Sequence, residues 1–206
     1  MIFELLRYTL RPRVMPEALA RIEAACARRR RHSELGGIWT TEIGPLNQIV
    51  MVWSYADIST YGRVQAALAH EADGPPRLDG LLVGLQRGLF TPLPGPPMLQ
   101  PGRPGPIYEL RSYRVRPGVG VQGYTAGWEA KLDERLALSP LAVAMVSDVG
   151  PLNNIVQIWP YASYAQRAEV RRVATEHGVL PPPGALDVLE LMENLIMLPA
   201  LFSPMQ

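Results

Sequence analysis

The chain repeats itself. Ile2 to Pro12 returns as Ile107 to Pro117 with six identities in eleven positions, and Gly44 to Ala56 returns as Gly150 to Ala162 with nine in thirteen. The offsets, 105 and then 106, differ by one residue, so two blocks in the same order at one spacing mark a tandem duplication. Between the copies, Thr91 to Pro106 holds seven prolines and three glycines in sixteen residues. Such a segment can neither pair continuously in a sheet nor continue a helix, and it reads as an extended, stiff linker. The chain therefore divides into a first unit, 1–90, a linker, 91–106, and a second unit, 107–198.

Each copy carries the same series of elements. In the first, Ile2 to Leu10 is a strand by its β-branched and aromatic content, stopped by Arg11-Pro12. Pro16 to about Arg31 is a helix with an apolar stripe of Leu19, Ile22 and Cys26, flanked by Ala18 and Ala25. Gly36-Gly37 ends that region. Ile38 to Ile43 and Gln48 to Tyr55 are strands joined by a Gly-Pro-Leu-Asn turn, Asp57 or Ser59 caps a helix to about Ala69, and Leu81 to Leu89 is the last strand. The second copy follows with Ile107 to Val115, Val121 to Leu138, Leu141 to Val149, Asn154 to Tyr161, Ser163 to about His177, and Val188 to Met197. The fold class is α+β. A βαββαβ unit places both helices on one face of a four-stranded antiparallel sheet and leaves the other face uncovered, so two tethered copies pack sheet to sheet with the helices outside.

Composition narrows the class of molecule. With 48% hydrophobic residues and a formal net charge of +1, the chain is globular and lacks the basic excess of a nucleic-acid binder. No run approaches the ~18 uninterrupted apolar residues of a membrane span. The opening Met1 to Arg7 reads as a strand and not as a signal segment, and the single cysteine, Cys26, fits a reducing compartment, so a cytoplasmic protein is expected. Only one of the twenty basic residues is lysine, which suggests a GC-rich bacterial genome.

Tyr108-Glu109-Leu110-Arg111-Ser112-Tyr113, followed by Arg116-Pro117-Gly118, opens the second copy; Ser147-Asp148-Val149-Gly150 leads into its turn, and Trp159-Pro160-Tyr161 precedes an arginine-containing helix. In these blocks the chain resembles the NIPSNAP family. The resemblance implies two ferredoxin-like repeats forming, within one chain, the barrel of the dimeric α+β barrel superfamily. It also implies a functional range that includes cofactor-free monooxygenases, haem-degrading enzymes, cyclases and ligand-binding domains, often with a pocket between sheet and helices.

Alternate residues of a strand share a face, so Glu109, Arg111 and Tyr113 line up. Arginine can hold an anion bidentately while tyrosine carries a proton, which makes Tyr113 and Arg111 the candidate catalytic pair; a structural ion pair of Glu109 with Arg111 is the competing reading. The first copy has Leu6 at the position of Arg111, so the functional pocket is expected in the second copy. Glu109, Trp128, Trp159, Tyr161 and His177 are the candidate ligand contacts, with aromatic core packing the alternative for Trp159 and Tyr161. His70-Glu71 and Glu176-His177 fall at corresponding helix ends, where the helix dipole alone favours histidine. The run Arg28 to Arg31 reads as a solvated helix end. No metal-ligand spacing, nucleotide fingerprint or nucleophile elbow is present, so no metal, flavin or haem is expected, with His177 or His70 the only route to a haem ligand. The leading expectation is a protein that binds an aromatic or polyketide-like metabolite, with its cofactor-independent transformation, monooxygenase- or cyclase-like, left open; the rival is a non-catalytic binding or interaction module. Any homo-oligomer would use helices or sheet edges.

Overall fold

In the first copy β1 (Ile2–Leu10) pairs antiparallel with β3 (Gln48–Tyr55) on one side and β4 (Leu82–Pro92) on the other, and β3 pairs with β2 (Glu34–Ile43). The helices α1 (Met15–Arg29) and α2 (Ile58–His70) complete the βαββαβ order. The computed structural model describes residues 1–70 and 75–206, with the backbone alone at residue 70. The second copy repeats the pattern with β5 (Ile107–Val115), α3 (Gln122–Leu138), β6 (Val143–Val149), β7 (Asn154–Tyr161), α4 (Tyr164–Glu176) and β8 (Leu189–Pro199). It adds one short helix, α5 (Ala185–Val188), which the sequence reading left as chain between the last helix and strand.

The two sheets join at both edges. Trp39 to Ile43 of β2 pair with Ile196 to Pro199 of β8, and Leu89 to Pro92 of β4 pair with Met145 to Val149 of β6. The result is one closed eight-stranded barrel in the order β1-β3-β2-β8-β5-β7-β6-β4. Closure satisfies edge amide and carbonyl groups that an open sheet would leave unpaired. Alternation along each strand then sorts the side chains into layers. Phe3 and Leu5, Val50 and Val52, and Tyr108 and Leu110 fill the barrel with Trp39, while Leu6 and Tyr8 face α1 and α2. Tyr113, Ile155 and Trp159 face α3 and α4.

Local differences from the sequence reading have steric causes. Gly36-Gly37 lies inside β2, at a register shift, where a Cβ on Gly36 would strike Leu99 and one on Gly37 would strike the Trp39 ring. The glycines give close approach rather than a helix stop. Asp57, and not Ser59, caps α2, its Oδ1 accepting from the Thr60 amide at 2.6 Å.

The proline-rich linker is fastened to the barrel. β4 runs two residues into it, and the amides of Leu93 and Leu99 donate to Ala144 and Ala142. Leu99 is buried in the interior cluster together with Met205 from the C-terminal tail, and the two segments bond to each other through Gly102 and Gln206. Linker and tail thereby close the barrel end where β6 begins. Leu99→Ala is expected to cost about 2–4 kcal/mol in urea denaturation, the range for a large-to-small change in a packed core. A mere tether would show no measurable loss.

Candidate functional site

Each copy buries one carboxylate between its sheet and its helices. In the second copy Glu109 is fully buried and accepts from Arg111 Nε at 3.0 Å, Arg167 at 2.5 Å, Arg171 at 3.3 Å and Asn194 Nδ2 at 2.9 Å. Burial opposes its charge, but Arg111 and Arg167 outweigh burial and hold the carboxyl down at about 2. Above it Arg135 stacks 3.7 Å from the Trp159 ring centre and donates to the Tyr161 hydroxyl at 3.3 Å. Trp159 Nε1 donates to Gln157 Oε1 at 3.0 Å, and Gln157 Nε2 donates to Tyr124. Trp128 packs 6.0 Å from Trp159 and anchors the linker by donating to the Pro94 carbonyl at 2.8 Å. These side chains fill their layer. The free space beside Arg111 is about 10 Å³, room for one water at most.

The first copy keeps the anchor and loses the filling. Glu4 is fully buried, paired with Arg29, accepting from Tyr55 Oη at 2.8 Å and lying 3.1 Å from Arg87 Nε. Arg29 sits 4.3 Å over the Trp53 ring, as Arg135 sits over Trp159. At the offset of 106 that relates these pairs, Tyr124 becomes Ala18, Trp128 becomes Ile22 and Gln157 becomes Met51; in strand one Arg111 becomes Leu6. Removing two aromatic rings opens a cavity of about 290 Å³, lined by Ile22, Cys26, Arg29, Met51, Trp53, Gln65 and Leu68 with Pro75-Pro76 at its edge. With methionine in place of glutamine, Trp53 Nε1 has no acceptor among the described residues, and Gln65 Nε2 is likewise buried without one. Burial raises Tyr8 to about 12 and the Cys26 thiol to about 11, against the lowering influence of the nearby arginines.

A NIPSNAP family model matches twice, over residues 3–94 and 108–204, one match to each copy. The chain belongs to the NIPSNAP family. It is 26% identical to protein NipSnap homolog 3A of Homo sapiens over 212 aligned positions, covering 99% of this chain and 85% of the human protein. Its fold is shared across the whole length with a putative monooxygenase from Lactobacillus acidophilus (TM-score 0.64, 10% identity, 96% of this chain and 92% of that one). An anthrone oxidase-like protein has the same fold (TM-score 0.58, 9% identity, 97% and 91% covered). These two likenesses span both copies and show the fold alone, an α+β barrel closed within one polypeptide.

The sequence-predicted residues are gathered but not opened. Glu109, Arg111, Trp159 and Tyr161 meet in one network, Tyr113 packs 6.2 Å from Tyr124, and Trp128 closes the layer from α3. Burial raises the Tyr113 hydroxyl above its ordinary range although Arg111 acts to lower it. His177 lies apart, exposed at the C-terminal cap of α4, while the His70 side chain and Glu71 fall outside the described residues. Among the described residues no three His, Cys, Asp or Glu side chains gather as metal ligands. The pocket expected beside Arg111 is instead in the first copy, because arginine, tyrosine and tryptophan supply the volume that leucine, alanine and isoleucine leave empty. The run Arg28 to Arg31 is not a uniform solvated end: the Arg29 side chain turns inward to Glu4 and Tyr55 and is only 12% exposed. Its counterpart in the repeat, Arg135, was the available signal; Arg87 had none.

Glu109→Gln leaves several arginines without their common counter-ion and is expected to cost about 3–5 kcal/mol at neutral pH. The folded pKa of Glu109 lies below its unfolded value, so its stabilisation is present above about pH 4.5 and is lost as pH falls toward about 2. Wild-type stability followed by chemical denaturation should therefore fall over that window, and the fall should be shallower in the variant.

Proposed function

We propose that this NIPSNAP chain is a small-molecule-binding protein whose ligand, a flat aromatic or polyketide-type molecule bearing hydrogen-bond acceptors, occupies the cavity between sheet and helices of the first copy. The observation that carries the reading is the pair of buried, unpartnered donors, Trp53 Nε1 and Gln65 Nε2, on the wall of a 290 Å³ space that the second copy fills with its own side chains. A buried donor without a partner costs about 1–3 kcal/mol, which a carbonyl or hydroxyl of the ligand would recover. Trp53, Met51, Ile22 and Leu68 supply apolar walls, and Arg29 and Arg87 border the cavity with positive charge held in place by Glu4. The size is at the small end for an organic ligand, which favours two or three fused rings.

Binding without transformation fits the lining better than catalysis does. Oxygenation of a phenolic substrate without a cofactor begins by removing a proton, and at neutral pH Tyr8 and Cys26 both retain theirs.

Titration with 1,8-dihydroxyanthraquinone, followed by quenching of tryptophan emission, tests the reading. Saturable one-to-one binding is expected. Ile22→Trp, which places the second copy's side chain in the first, should weaken it at least tenfold while leaving the thermal midpoint unchanged or raised. Trp53→Phe should weaken it about three- to tenfold, the loss of one neutral hydrogen bond. Binding unaffected by Ile22→Trp would place the ligand elsewhere and overturn the proposal.

A further inference from the structure

The barrel opens at the end opposite the linker. Only the later parts of β4 and β8 pair across the repeat, from Leu89 and from Ile196 onward. Their first residues, Leu82 to Gly88 and Leu189 to Leu195, pair only with β1 and β5. The sheets therefore splay, and a funnel of about 670 Å³ opens onto the inner face of the barrel. Its floor is Leu5, Phe90 and Val156. Each copy also contributes an exposed leucine to its lining, Leu85 from β4 and Leu191 from β8.

Three arginines line this funnel, and two of them are engaged. Arg87 turns to Glu4, and Arg114 donates to Glu190 at 3.1 Å. Arg7, one step above Leu5 on the inner face of β1, has a buried Nε with no partner and closes no ion pair among the described residues. Burial lowers its pKa, and Glu193, facing it from β8, acts in the other direction without reaching hydrogen-bond contact. A part-buried guanidinium whose Nε has no acceptor among the described residues is incompletely satisfied, and a carboxylate satisfies it with two parallel hydrogen bonds.

We infer that the funnel is a ligand site distinct from the first-copy cavity, taking a small amphipathic carboxylate whose carboxyl group meets Arg7 and whose apolar body covers Leu5, Phe90 and Val156. Among the described residues lining the funnel, Glu193 is the one like charge the ligand would face; its presence limits affinity. The inner face supplies both halves of the recognition because the strand period places Leu5 and Arg7 on the same side.

Thermal unfolding with monomeric decanoate, with inorganic sulfate as the control anion, decides the matter. Decanoate should raise the midpoint saturably and sulfate should not. Arg7→Met should abolish the decanoate shift while raising or preserving the midpoint of the unliganded protein, because it removes a part-buried cation that closes no ion pair among the described residues. Glu193→Gln should tighten decanoate binding several-fold. Ile22→Trp should leave the shift intact, which separates this site from the cavity in the first copy. A lower midpoint in both Arg7→Met and Glu193→Gln, with no decanoate effect in any form, would make the two residues a structural pair and overturn the inference. An equal shift from sulfate, or a full decanoate shift in Arg7→Met, would overturn it as well.

Discussion

A four-stranded sheet with helices on one face has two debts to water: an uncovered apolar face and two unpaired edges. In this protein the same contact settles both, because β2 meets β8 and β4 meets β6 as the inner faces close on each other. Everything else is arranged around that closure. Phe3, Val52 and Leu110 must be apolar because they fill the barrel, and Glu4 and Glu109 can be charged because the next residue along the strand points the other way. The linker, long enough to cross the barrel end, became part of the core through Leu99.

Duplication gave two copies of one anchored layer, and they have since diverged in volume more than in charge. The buried carboxylate, the arginine over the tryptophan and the tyrosine beside them are present in both copies. In the second copy Tyr124, Trp128 and Arg111 pack that layer solid, so its polar groups bond to one another. In the first, smaller residues leave a cavity and two donors facing it. The second copy's layer is instead closed by the hydrogen bonds and ion pairs that converge on Glu109.

Much of the fold was legible in the sequence. The repeat, the linker and the alternation of strands and helices followed from identities at one offset and from the period-two pattern of Ile2 to Leu10 and Ile107 to Val115. Other features were hidden for definite reasons. Gly36-Gly37 looks like a terminator until Leu99, some sixty residues away, is seen to occupy the space a side chain would need. Arg29 looks like one of four solvated arginines, because charge alone does not tell which member of a run turns inward.

The sequence by itself determined the duplication, the βαββαβ order and the faces on which Glu4 and Glu109 lie, since these depend on local spacing and on the strand and helix periods. Only the tertiary structure decided which copy holds the open cavity. Cavity volume is what remains after α1, α2, β1 and β3 have contributed side chains from distant parts of the chain, and Leu6 read alone shows a missing arginine without showing the space left behind. The mouth at Arg7 has the same origin: it exists because β4 and β8 stop pairing at Leu89 and Ile196, a property of how two sheets twist against each other that no segment of sequence carries.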